Sequence, residues 1–140
     1  VRDSQKSKCY KWENAQVIRP DEKQIAFEKL QKIVDKVWEK EGLPNPPPQV
    51  VLLDPRNTTL WAEATRHEIR VTTEGLKKTV LMHEIAHSML ISNPRLAHHG
   101  PRWVGVYVDL LVRHCRMKRK DLETSLMESG VKFNYDGKLK

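Results

Sequence analysis

The chain has 140 residues, 39% hydrophobic and 31% charged, a balance that suits one soluble globular domain spanning residues 1–140. No apolar run approaches the ~20 residues of a membrane span, and the opening VRDSQKSKCYKWENAQ lacks the apolar segment of a secretory signal, so a cytoplasmic protein with no membrane partner is expected. The net charge of +7 favours polyanionic partners, while Cys9 and Cys115 belong to no C-x-x-C pair and read as free thiols rather than metal or redox ligands.

Residues 1–19 are polar and read as irregular, with a short strand around Tyr10–Ile18. From Pro20 to Glu41, Phe27, Leu30, Val34, Val37 and Trp38 recur at spacings of three and four, which predicts an amphipathic helix ended by Gly42. LPNPPP (Leu43–Pro48) is an extended connection. Gln49–Asp54 reads as a strand ended by the turn Asp54-Pro55-Arg56-Asn57. Two more extended segments, Thr58–Ala64 and His67–Thr72, are separated by Thr65 and Arg66 alone, which predicts a tight hairpin.

The next helix is expected to start at a Thr73–Glu74 cap and to run to about Ile91, where Asn93-Pro94 stops it. Val80, Leu81, Met82, Ile85, Ala86, Met89 and Leu90 cover most of its circumference, so it should be buried. Pro101 opens a further helix with Val104, Tyr107, Val108, Leu111, Val112 and Cys115 on its apolar face. A last helix is expected over Asp121–Ser129, capped by Asp121 and closed by Gly130, with the tail VKFNYDGKLK an edge strand or disordered. Strands grouped apart from helices indicate an α+β fold.

The buried helix carries the chemistry. His83, Glu84 and His87 spell H-E-x-x-H. Residues i and i+4 of a helix project from one face, so both imidazoles can reach one Zn²⁺ at ~2.0–2.1 Å. Glu84 points to the side, where it can take a proton from a water whose pKa zinc lowers towards ~7. A helix that merely carries surface histidines is the plainer alternative. It would leave three polar side chains buried in an apolar segment for no purpose, at a cost of several kcal/mol.

A catalytic zinc ordinarily takes three protein ligands. The metzincin pattern is excluded, because Leu90 and Asn93 stand where it requires glycine and histidine. Candidates for the third ligand are His98, His99, Asp109, His114, Glu123 and Glu128. His114 lies in the basic run Arg113–Lys120 and reads as a surface residue, and Asp109 is the acidic rival from the next helix.

HEIAH, then eleven residues, then HGPRW resembles the SprT-like (Spartan-like) zinc metalloproteases, and the opening RDSQKSKCYKWE is similar to small metallohydrolases of bacteria and their phages that share the metal motif. The resemblance covers about Gln49 to Val112 and rests on the two histidine motifs. It implies a zincin-like domain of the minigluzincin type, with one Zn²⁺ per chain held by His83, His87 and His99 and with Glu84 as general base. It further implies that the strand His67–Thr72 is an edge along which a peptide substrate lies. Family members commonly add a zinc ribbon or another DNA-binding module, for which this sequence has no cysteine pairs.

The local sequence agrees with His99. Gly100 and Pro101 would hold it at a defined exit from the loop, beside a rigid helix. His98 then becomes a substrate contact or a surface residue. Asp109 becomes a hydrogen-bond partner of a ligand imidazole, and Tyr107 and Arg102 become candidates to stabilise an oxyanion. The expected activity is that of a metallopeptidase acting on peptide or protein. Hydrolysis of a non-peptide amide or small molecule is one alternative, since the same geometry serves it. A nucleic-acid-binding domain with non-catalytic zinc, using Arg113–Lys120, is the other.

Overall fold

Among the residues described by the computed structural model (3–54, 56, 62–73, 76–91 and 96–135), five helices and three short strands make an α+β protein. The chain divides into two compact units, Lys23–Ser92 and Val1–Glu22 with Asn93–Lys140. No helix among the described residues is long and apolar enough to cross a membrane.

In the unit Lys23–Ser92, helix α2 (Phe27–Lys40) buries the expected stripe of Leu30, Val34, Val37 and Trp38. It begins at Phe27 rather than near Pro20, because the Ile25 N–H donates to the Leu76 carbonyl (2.7 Å) and so leaves the helical ladder. Gly42 ends the helix at φ +68°, a conformation glycine adopts without a Cβ clash. There Gly42 N–H donates to Glu39 and Leu43 N–H to Trp38, the paired bonds of a Schellman stop. The proline-rich connection that follows is tied down by its carbonyls. Trp38 Nε1 donates to Pro44 O (2.7 Å), and the Arg66 guanidinium donates to Pro44 O and Pro46 O while lying over the Trp38 ring.

Strands β1 (Gln49–Leu52), β2 (Ala62–Ala64) and β3 (Glu68–Val71) form one sheet in the order β1-β3-β2. The predicted hairpin is present: β2 runs antiparallel to β3 with Ala64 opposite Ile69, and the Thr65 hydroxyl accepts from the Glu68 N–H in the turn (3.1 Å). Thr58 to Trp61, Pro55 and Asn57 lie outside the described residues, and at the other turn Asp54 Oδ1 accepts from Arg56 N–H (2.9 Å). The expectation for β3 as a free edge is corrected. β1 pairs with it in parallel, Gln49 opposite Glu68 through Leu52 opposite Val71, so both sides of β3 are hydrogen-bonded and it is the central strand.

Helix α3 (Lys78–Leu90) packs on β2, β3 and α2. It starts at Lys78 rather than at Thr73, since Lys77 is extended (φ −118°, ψ 145°) and supplies no side-chain cap. Ten of its thirteen residues are buried, which accounts for the lack of one clear apolar face. Ser88 Oγ donates to the Arg66 carbonyl (3.1 Å) and so fixes the helix to the β2–β3 turn. The expected stop at Asn93-Pro94, and Glu74, fall outside the described residues.

In the other unit, helix α1 (Lys6–Gln16) replaces the irregular segment and strand expected near Tyr10–Ile18. Gln5, Cys9, Trp12 and Glu13 recur on one helical face and are all buried, two of them polar, which hides the apolar period. Helix α4 (Pro101–Cys115) opens at Pro101 as expected. Its burial is broader than one stripe, since every residue from Trp103 to Val108 is inside. Gly105 is among them because an added Cβ would stand 2.2 Å from Asn134 O of the tail, itself held by Asn134 N–H on Pro101 O (2.9 Å). Helix α5 (Arg119–Glu128) begins earlier than Asp121; Lys118 is its N-cap residue and Asp121 lies in the first turn, where its charge still favours the helix dipole. Gly130 closes it at φ +69° with the same paired stop as α2. Residues 131–135 of the tail form no strand, and 136–140 lie outside the described residues.

Candidate metal centre

In the unit Lys23–Ser92, helix α3 presents His83 and His87 one turn apart, with Nε2 atoms separated by 3.1 Å and ring centroids by 4.8 Å. Two nitrogens on a tetrahedral metal at ~2.0–2.1 Å stand roughly 3.3 Å apart. The pair therefore matches a shared metal within a few tenths of an ångström. Between them in sequence, Glu84 brings Oε2 to 3.9 Å from His83 Nε2, and both side chains are more than nine-tenths buried. The carboxylate stands beside the imidazole donor rather than in its place. Since α3 is anchored through Ser88 to the turn, its histidine face is carried by a fixed element.

In the other unit, His99 is 4% exposed and precedes the N-terminus of α4. Its Nδ1 lies 2.8 Å from Asp3 Oδ2, and its backbone N–H donates to Asp3 Oδ1 (3.2 Å). Its carbonyl accepts from Gln5 Nε2 (3.0 Å) and from the Cys9 thiol (3.4 Å). Tyr10 and Trp103 place their rings against the imidazole, with centroids at 5.0 and 4.8 Å. The Cys9 thiol is pushed up to about 12, first by burial and then by the nearby charges of Asp3 and Glu13. Gly100 has φ −73° and ψ 175°, a conformation open to any residue, so its being glycine does not set the bend. The definition of His99 comes from its contacts instead.

Each of the three histidines offers one ring nitrogen as a possible metal donor, His83 and His87 in the unit Lys23–Ser92 and His99 in the other unit. Imidazole nitrogens are donors that zinc accepts, and in the unit Lys23–Ser92 the histidine pair has the Glu84 carboxylate beside it.

The remaining candidates have other surroundings. His98 is exposed. Tyr107 is fully buried, and its hydroxyl donates to Glu13 Oε2 (2.5 Å). Burial and the Glu13 charge raise its pKa well above the ordinary phenol value. Asp109 receives Arg119 at 2.8 Å and Arg113 at 3.8 Å, an ion-pair cluster joining α4 to α5. Arg102 and His114 are half-buried, Glu123 accepts from the Tyr135 hydroxyl (2.7 Å), Glu128 is exposed, and His67 is exposed beside β3. Asp3, Gln5, Cys9 and Tyr10 are not marked as site residues by any motif. The available signal was the spacing of Gln5, Cys9, Trp12 and Glu13 at four, three and one, a helical face whose polar members mask it. No protein-family model matches the chain, and no curated protein or solved structure matches it either.

Proposed function

We propose that the chain is a zinc-dependent metallohydrolase of the zincin type, acting as a metallopeptidase, with His83, His87 and His99 as metal ligands and Glu84 as general base. The observation that carries the reading is the α3 constellation: two Nε2 atoms 3.1 Å apart with a buried carboxylate between them in sequence. Zinc, when bound, supplies Lewis acidity toward a carbonyl and lowers the pKa of water. Glu84 takes the proton released as water attacks and returns it to the departing amine.

Glu84→Gln keeps the size of the side chain and loses the base. It is expected to retain one zinc per chain by elemental analysis while losing hydrolysis of a casein or peptide-library substrate by at least 10²-fold, the scale of general-base catalysis. Full activity in that variant would remove Glu84 from the mechanism. Absence of zinc in the parent after zinc supplementation would remove the metal. We further propose a nucleic-acid contact at the α4–α5 turn, where Arg116, Lys118 and Lys120 are exposed within five residues. Arg119 is excluded from that surface, since it pairs with Asp109 and stacks on Tyr135 at 4.9 Å.

A further inference from the structure

We propose that Asp3 is a positioning residue for His99: its carboxylate sets the imidazole tautomer and thereby makes Nε2 the metal donor, an inference that rests on the zinc reading above. With Asp3 Oδ2 as the acceptor, the 2.8 Å contact to His99 Nδ1 places the hydrogen on Nδ1. In a neutral imidazole the lone pair is then on Nε2. The same carboxylate holds the His99 backbone N–H through Oδ1 (3.2 Å), so one side chain fixes both the main chain and the ring of the histidine.

Three further contacts limit what the ring can do. Gln5 ties the His99 main chain to the tail, donating to His99 O (3.0 Å) and Lys132 O (2.9 Å) and accepting from Lys132 N–H (3.1 Å). Tyr10 and Trp103 flank the imidazole at 5.0 and 4.8 Å with tilted and edge-on planes. Asp3 itself is only 19% exposed at the side chain, so its bond to Nδ1 is shielded from competing water. A carboxylate on the far nitrogen of a ligating histidine raises the basicity of the donor nitrogen and fixes its direction, and removing such a partner costs 10–100-fold in metal affinity. The N-terminal segment, whose sequence carries no metal motif, is on this account part of the metal site.

The test compares parent, Asp3→Ala and Asp3→Asn by zinc titration against a chelating indicator, and by long-range proton–nitrogen NMR of the histidine rings in zinc-free protein. The parent is expected to show His99 as the Nδ1–H tautomer. Asp3→Ala is expected to lose that signature and to bind zinc 10–100-fold more weakly. Asp3→Asn keeps an acceptor oxygen, so it is expected to retain the tautomer and to lose less affinity than alanine. Equal zinc affinity in parent and Asp3→Ala overturns the role of Asp3 and leaves the zinc reading standing. A parent that binds no zinc overturns both. Should Asp3→Ala fail to fold, the parent spectrum alone decides: an Nε2–H tautomer at His99 overturns the proposal.

Discussion

At the residue scale, the two cysteines are expected to behave in opposite ways. Cys9 is buried and its thiol titrates at about 12 against an ordinary 9.0, whereas Cys115 is half-buried at the end of α4. A thiol-specific alkylating reagent at mildly alkaline pH should therefore modify Cys115 in native protein and reach Cys9 after unfolding, as peptide mapping would show. The same shift has a stability consequence. The folded state keeps the Cys9 proton and the unfolded state releases it near 9.0, so the contribution is complete below that pH and is lost as pH rises toward about 12. Tyr107, also raised by burial, acts with the same sign. Urea midpoints should fall from pH 9 upward, and Cys9→Ala should flatten that slope; an unchanged slope would assign the shift elsewhere. Alanine variants also separate the histidines. His99→Ala should lose tightly held zinc and the exposed His98→Ala should keep it. Asp109→Ala should keep it too, because that carboxylate is engaged with Arg119.

At the scale of single elements, the ends of α4 and α5 show which backbone positions the sequence marks and which it does not. Gly42 and Gly130 occupy left-handed positions, whereas Arg116 adopts φ 56° at the end of α4 without being glycine. A non-glycine residue there costs roughly 1–2 kcal/mol. Arg116→Gly should relieve part of that cost, and a gain of about 0.5–1 kcal/mol in chemical denaturation is expected after allowing for the freer unfolded chain. No gain would mean that the Arg116 side chain repays the strain. Gly105 is the opposite case. In a helix, glycine is about 1 kcal/mol worse than alanine, yet alanine at 105 would place its Cβ 2.2 Å from Asn134 O. Gly105→Ala should displace the tail at residues 131–135, detected as faster amide exchange at Asn134, whose N–H bonds to Pro101 O.

At the scale of the whole molecule, charge and metal are the quantities to test. The net charge of +7 predicts salt-dependent affinity for nucleic acid. Replacing Arg116, Lys118 and Lys120 together with glutamine should lower the slope of log K against log salt by about 0.9 for each phosphate that is no longer neutralised. An identical slope would return these side chains to solvated surface. Zinc binding to the folded chain should raise the unfolding free energy by about 2.7 kcal/mol at a zinc concentration one hundred times Kd, and EDTA should reverse it.

The elements legible in the sequence are those whose signals are local. His83 and His87 share a helix face because four residues separate them, the α4 start follows from the fixed φ of Pro101, and the β2–β3 hairpin follows from two alternating segments with two residues between them. Glycine marks the ends of α2 and α5 because few residues take a positive φ without strain. The tertiary structure decided what depends on partners distant in sequence. Helix α1 has little apolar periodicity of its own and is held by Trp12 on Ser125, Gln5 on Lys132 and Glu13 on Tyr107. The strand β3 became central because β1 pairs with it in parallel, a choice made by its partner strand and not by the residues of β3. Helix α2 starts late because the Ile25 N–H bonds to the Leu76 carbonyl, and α3 starts late because Lys77 is extended. Most consequential is His99, whose ring is held by Asp3 across 96 residues of chain. No periodicity or spacing encodes that pairing, because the energy of a buried carboxylate–imidazole bond depends on where the folded backbone puts the two groups.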